Sequence, residues 1–283
     1  MTSRVGEINT LPVAVTYAYT PQEAADKVRA LGVTKAKGNS LTIFVLSVLA
    51  GAFIGLGAMF FIVVMTGASS GLGMSRLLGG LAFSLGLILV VVAGAELFTG
   101  NNLVSMAWAS RLITFPELLR NWVIVYVGNV VGSIGTVILV LVVRVDELGG
   151  GAVGLTIKSI GESKVSLDPL QALALGVLCN ALVCLTVWLT LGGRTVTDKI
   201  LAVIFPVTAF VVIGFEHSIA NWFFLPYAIL LDGFQSGSLI SGAAVNLVAV
   251  TVGNIVGGTL LVAGIYWVAY LRKDGPEEAQ PSQ

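Results

Sequence analysis

Long apolar runs separated by short polar stretches dominate the pattern along the chain. A bilayer-crossing helix needs about 20 apolar residues in a row. Six windows of this kind are present, at residues 40–66, 76–112, 122–143, 170–191, 200–231 and 239–270. The second and fifth are too long for one straight crossing, which predicts that both are interrupted. The pattern therefore predicts an all-α membrane protein with six transmembrane helices.

Ahead of the first window, Thr20, Pro21, Gln22 and Glu23 form a capping-box pattern with proline at the first helical position. Ala24, Val28 and Leu31 then recur at helical spacing, so residues 1–39 are expected to contain a short amphipathic helix. Residues 40–272 make up the membrane domain. Residues 273–283, polar and rich in Glu, Gln and Pro, read as a disordered tail.

Composition agrees with the pattern. Charged residues are 11% of the 283 positions, where a soluble domain carries about a quarter, and mean hydropathy is +0.96. A formal net charge of zero points to no nucleic-acid partner. Eleven Lys and Arg (4, 27, 29, 35, 37, 111, 120, 194, 199, 272 and 273) fall on one side of the spans, and four (76, 144, 158 and 164) on the other. By the positive-inside bias both termini are expected in the cytoplasm, in a multi-pass protein of the cell membrane. No secretory leader is expected in the mixed, polar first 39 residues. Cys179 and Cys184 lie five apart in one apolar run and read as small apolar fillers; no metal site or cofactor is expected.

The most informative feature is a duplication. NWVIVYVGNVVG at 121–132 matches NLVAVTVGNIVG at 246–257, and GAELFTGN at 94–101 matches GFEHSIAN at 214–221. Gly/Val-rich helices resemble one another by chance. Coincident Glu and Asn within the second pair (Glu96 with Glu216, Asn101 with Asn221) are harder to obtain that way. Each half, about 40–145 and 168–272, holds three spans, so the halves are expected to cross in opposite senses. Inverted repeats place solute sites at their interface, on discontinuous helices. The charged motifs lie where the two long windows should break.

Ionisable residues inside a bilayer cost roughly 3 kcal/mol each on insertion scales and are functional candidates by default. Here they are Glu96, Glu216 and His217. The glutamates fit either a carboxylate pair in a proton relay or acceptors for backbone N–H groups freed at the breaks; their duplication favours the second. His217 is the only histidine, and its counterpart in the other half is Leu97, an asymmetry that favours function over architecture. Thr99 offers a hydroxyl to the same central point, or caps the helix that follows it. Asn180, in GVLCN at 176–180, is either a helix-packing residue or part of the site. Lys164 is the last cation before the fourth span.

With these motifs and NALVCLTVW at 180–188, the chain from about residue 35 to 273 resembles the formate/nitrite transporter family. The resemblance implies an aquaporin-like fold assembled as a homopentamer, with one pore per protomer. It places His217 and Thr99 in the central site with Asn180 beside it, and Lys164 in a vestibule. It puts Phe83, Leu87, Leu97, Phe98, Val183 and Phe210 at apolar constrictions, with Glu96, Glu216, Asn101 and Asn221 in support. The function it implies is passage of a small monovalent anion of a weak acid: formate first, with nitrite or hydrosulfide as alternatives. Proton exchange near His217 is expected to neutralise the anion for the apolar slits, so that transport is either of the anion alone or proton-coupled. A neutral-solute channel would show paired Asn-Pro-Ala motifs, which the sequence lacks. A serine hydrolase would need a nucleophile beside His217, and Ser218 is adjacent only in sequence, with no Gly-x-Ser-x-Gly present. The chain is not expected to be an enzyme.

Overall fold

The computed structural model describes residues 18–272, which form helices and the turns that join them. Arg4, Lys273 and the tail assigned to disorder lie outside the described residues. α1 (Pro21–Lys37) begins at the expected box: Thr20 Oγ1 accepts from the Glu23 amide, and the Glu23 carboxylate accepts from the Thr20 amide. It buries Ala24, Val28, Gly32 and Ala36, one stripe at a spacing of four; Leu31 is largely exposed.

The first half continues with α2 (Ser40–Met65) and α3 (Leu72–Ala93). After a break come a 3-10 turn (Gly100–Val104), the short α4 (Ser105–Ala109) and α5 (Phe115–Val142). The second half has α6 (Ala152–Val165), α7 (Pro169–Gly192), α8 (Val196–Ile213), a second break, α9 (Ser218–Asp232) and α10 (Gly237–Val256). The last helix runs on to Leu271 largely in wider π geometry. Among the described residues, six helices are long and apolar enough to span a membrane, and none of the elements is a strand.

Both interruptions lie where the two long windows required them. α3 ends on Gly94 (φ +79°) and α8 on Gly214 (φ +87°), a left-handed conformation that glycine adopts without a Cβ penalty. α6 was not evident from the apolar windows. It packs through Val153, Ile157 and Gly161, too sparse a stripe to register against the spans. α5 starts seven residues before its apolar window, at a second capping box between Thr114 and Glu117.

Capping boxes at Glu23, Glu117 and Asp198 share a consequence. In each, the backbone amide of the cap threonine (Thr20, Thr114, Thr195) is the main influence holding the carboxyl below its usual pKa. Depressed carboxyls stabilise above their unfolded pKa and lose that contribution as pH falls through the folded one. These caps are therefore constant through neutral pH and fail only in acid.

Glycines set the helix spacing, as is usual where lipid removes the hydrophobic drive between helices. A Cβ on Gly51 would lie 2.0 Å from the Asn129 carbonyl oxygen, and one on Gly132 would lie 2.0 Å from that of Val48. The same crossing recurs between α7 and α10: Gly253 would meet Leu173 O at 2.2 Å, and Gly257 would meet Val177 O at 2.1 Å. Gly132→Ala is expected to lower the thermal stability of the detergent-solubilised protein by about 1–3 kcal/mol, the scale of an overpacked core. Gly135→Ala, on the same helix with open space around it, is the control and should not. Equal melting curves for the two variants would contradict the close-crossing argument.

Candidate functional site: two cavities and the Thr99–His217 contact

The two broken segments are held by the same set of hydrogen bonds made twice. At the first break, Glu96 N donates to Leu46 O at 3.2 Å, and Phe98 N donates to Asn129 Oδ1 at 2.8 Å. The Asn129 amide then donates to Ser47 O and Glu96 O. At the second, Glu216 N donates to Leu175 O, Ser218 N to Asn254 Oδ1, and the Asn254 amide to Gly176 O and Glu216 O. Backbone groups released by the breaks are thus satisfied by asparagines from α5 and α10.

This corrects one expectation. Glu96 and Glu216 were read as acceptors for freed backbone N–H groups; their carboxylates instead pair with lysine and asparagine side chains. Lys35 Nζ lies 2.9 Å from Glu96 Oε2 and 2.8 Å from Asn101 Oδ1. Asn101 donates to Glu96 and to Asn121 Oδ1, and Asn121 donates to Lys35 O. In the other half Lys164 Nζ sits 2.8 and 3.0 Å from the two Glu216 oxygens. Asn221 donates to Glu216 and Asn246, and Asn246 donates to Lys164 O. Lys164 is therefore no lone surface cation. It has a counterpart, Lys35, that sequence reasoning placed only on a face. Each lysine ends a short helix (α1 or α6), so each half is built from one more helix than its apolar windows revealed.

Two cavities flank the breaks. The larger, about 670 Å³, is lined by Lys164, Glu216, Asn221, Arg76, Phe83, Phe210 and, among others, His217. The smaller, about 320 Å³, is lined by Lys35, Glu96, Asn101, Lys199, Leu87, Leu97 and part of α1. The cavities share no residue. The counterparts His217 and Leu97 thus face different cavities, which is where the duplication stops being symmetric.

Between the cavities the halves meet at a buried polar contact, Thr99 Oγ1 to His217 Nε2 at 3.0 Å, although Thr99 itself lines neither cavity. His217 is also the N-cap of α9, its Nδ1 accepting from Ala220 N at 3.1 Å. An Nδ1 that accepts must carry its lone pair, so the neutral ring bears its proton on Nε2. Nε2–H then donates to Thr99 Oγ1, and the threonine hydroxyl hydrogen is left to point elsewhere. Thr99 does not cap the turn that follows it.

Not every residue expected at the site borders a cavity. Phe210 stacks on His217 with ring centroids 6.1 Å apart, and Phe83 meets Phe210 edge-on at 5.9 Å, so these two wall off the histidine. Phe98 and Val183 are buried and line neither cavity; Phe98 packs edge-on against Tyr126 and Trp122. Asn180 also lines neither. Its amide donates to Asn254 O at 2.6 Å, its Oδ1 has no hydrogen-bond partner, and it lies against Gly258 where α10 widens. Cys184, one turn on, donates to Thr99 O at 3.4 Å.

Six apolar spans, two broken helices and two charged cavities separated by a buried polar contact define a multi-pass channel or transporter. The family profile for formate/nitrite transporters matches residues 22–268, and the chain belongs to that family. It is 40% identical over 271 residues to the formate channel FocA of Escherichia coli K12, covering 90% of this chain and 95% of that protein. A probable formate transporter of Methanothermobacter thermautotrophicus is 37% identical, with 89% and 97% covered. Among solved structures, a pentameric formate channel with formate bound has a TM-score of 0.72 at 42% identity, covering 82% of this chain and 98% of that one. An FNT family ion channel has a TM-score of 0.78 at 28% identity, with 87% and 98% covered.

Proposed function

We propose that each protomer conducts a small monovalent anion of a weak acid, formate before nitrite or hydrosulfide, along a path from one cavity to the other past Thr99 and His217. The observation that carries this is the Thr99–His217 contact, a buried pair of donors where two cavities containing cations approach each other. Relatives called formate channels at 40% identity support formate as the first choice. The pentameric neighbour supports a homopentamer seated in the cell membrane. The eleven-to-four distribution of Lys and Arg supports cytoplasmic termini. Gln22 of α1 donating to Tyr270 O at 3.1 Å fits both ends of the chain lying at one face.

Energetics favour passage of the neutral acid through the apolar constriction. A bare anion in hydrocarbon costs tens of kcal/mol by Born estimates. Protonating a carboxylate of pKa about 4 at pH 7 costs about 4 kcal/mol, at 1.36 per unit. His217 could supply that proton directly only by acquiring one at Nδ1, which would break its bond to the Ala220 amide. The neutral ring instead orients Thr99 so that its hydroxyl donates to the carbonyl oxygen of the passing acid, while the proton arrives from the solvated cavities.

Uptake into proteoliposomes with formate, nitrite, hydrosulfide and glycerol offered separately tests this reading. Formate should enter well above the protein-free leak, with nitrite and hydrosulfide competing against it. Glycerol entering as fast as formate would refute an anion path.

A further inference from the structure

The lysines duplicated beside the two glutamates are not the free charges of their cavities. In the larger cavity Lys164 is cancelled by Glu216, and the remaining charged lining residue is Arg76. Arg76 makes one hydrogen bond, Nη1 to Val212 O at 3.0 Å, and no ion pair among the described residues. Four of the five guanidinium N–H groups are therefore uncommitted to the protein. In the smaller cavity Lys35 is cancelled by Glu96, and the remaining charge is Lys199, whose side chain makes no hydrogen bond or ion pair among the described residues. With His217 neutral, each cavity carries a net charge of +1, and one unpaired cation supplies it.

These two cations are not exact counterparts in the repeat, whose register pairs Arg76 with Val196, but they lie on equivalent helices. Arg76 lies in the opening turns of α3 and Lys199 in the first turn of α8, the helices that lead into the two breaks. A cation near a helix N-terminus opposes the helix dipole, so neither position favours its own helix. Arg76 gains something by capping the end of α8 through Val212. Lys199 gains nothing of that kind, because neighbouring Asp198 spends its carboxylate on the Arg194 and Thr195 amides. An unpaired charge lining a cavity near the start of each pre-break helix calls for a role in what enters.

Resting on the anion reading above, we propose that Arg76 and Lys199 are the recruiting cations of the pore, one at each entrance. Each raises the local concentration of anions in its cavity before the constriction. Lys164 and Lys35 act instead as neutralised members of the scaffold that holds the breaks. A net positive cavity with apolar walls concentrates anions most strongly at low ionic strength.

The test is initial formate uptake against formate concentration in right-side-out and inside-out membrane vesicles, at low and high salt, for wild type, Arg76→Gln, Arg76→Lys and Lys199→Gln. Arg76→Gln should raise KM about fivefold for entry from one side at low salt, the scale of one unit charge a few ångströms off in a partly screened cavity. Lys199→Gln should do the same for the other side. Both shifts should shrink at high salt with the maximal rate kept, and Arg76→Lys should behave like wild type. Unchanged KM from both sides in both Gln variants would overturn the inference. So would a fall in maximal rate, alike at every salt concentration, in each Gln variant that assembles. If Arg76→Gln fails to assemble, Lys199→Gln still decides. A wild-type protein that moves no small anion would instead refute the anion reading itself.

Discussion

Lys164→Met is expected to be the most destabilising single change in the polar framework, costing about 3–5 kcal/mol, the range for removing one partner of a buried pair. Its side chain is 13% exposed and that of Glu216 is 7%, so the carboxylate left behind would lose its cation and be poorly hydrated. Asn221 would still donate to it, which softens the loss without replacing a charge. Lys35→Met should cost less, because that pair is 29% and 13% exposed and solvent screens part of the charge. Adding Glu216→Gln to Lys164→Met should recover much of the loss, since the stranded charge disappears. Thermal unfolding of the solubilised assembly reads all four proteins. A Lys35 variant less stable than the Lys164 variant, or a double variant worse than the single, would contradict the assignment of Lys164 to the scaffold.

Thr99→Val should leave the fold intact and slow formate flux by roughly 10- to 100-fold, the worth of one hydrogen bond to the passing acid together with the buried Nε2–H it strands. Valine matches threonine in shape but has no hydroxyl, and it leaves His217 Nε2–H without an acceptor. Thr99→Ser should restore much of the rate. His217→Asn separates the two jobs of the ring. Asparagine is a strong N-cap residue, so α9 keeps its cap, while the shorter side chain no longer reaches Thr99. The variant should assemble normally yet conduct formate more slowly in both directions, with the wild-type pH dependence, because Nε2–H no longer orients Thr99. His217→Ala should in addition lose about 1 kcal/mol of stability with the cap. Wild-type rates for the Asn variant would contradict the orienting role of His217, and an altered pH dependence would show that the ring itself exchanges the proton.

Spans and breaks were legible because the bilayer imposes a length rule and the glycines at 94 and 214 punctuate two runs that exceed it. The duplicated Glu and Asn were legible as a pattern, but their partners were not. Lys35 and Lys164 sit 61 and 52 residues from the glutamates they pair with, and no local periodicity links them. α6 was hidden because it packs through small and β-branched residues beside a run of three glycines. The N-cap role of His217 could have been read from the sequence, since a polar residue following a glycine-ended helix and preceding an apolar run is an N-terminus signal. The widening of α10 from Gly257 could not, since the duplicated motif ends at Gly132 and Gly257 and the segment that follows in α5 stays α-helical. Arg76 and Lys199 were visible as charges, and only the pairing of Lys35 and Lys164 shows them to be the unpaired cations of the two cavities.

The central claim is that solute crosses inside each protomer at the Thr99–His217 contact. Electron cryomicroscopy of the protein in lipid nanodiscs, with and without formate, tests it most directly. The account predicts formate-dependent density within hydrogen-bonding distance of the Thr99 hydroxyl, repeated in every protomer of a five-fold assembly. Formate density confined to the axis between protomers, with the space beside Thr99 and His217 unchanged, would contradict it.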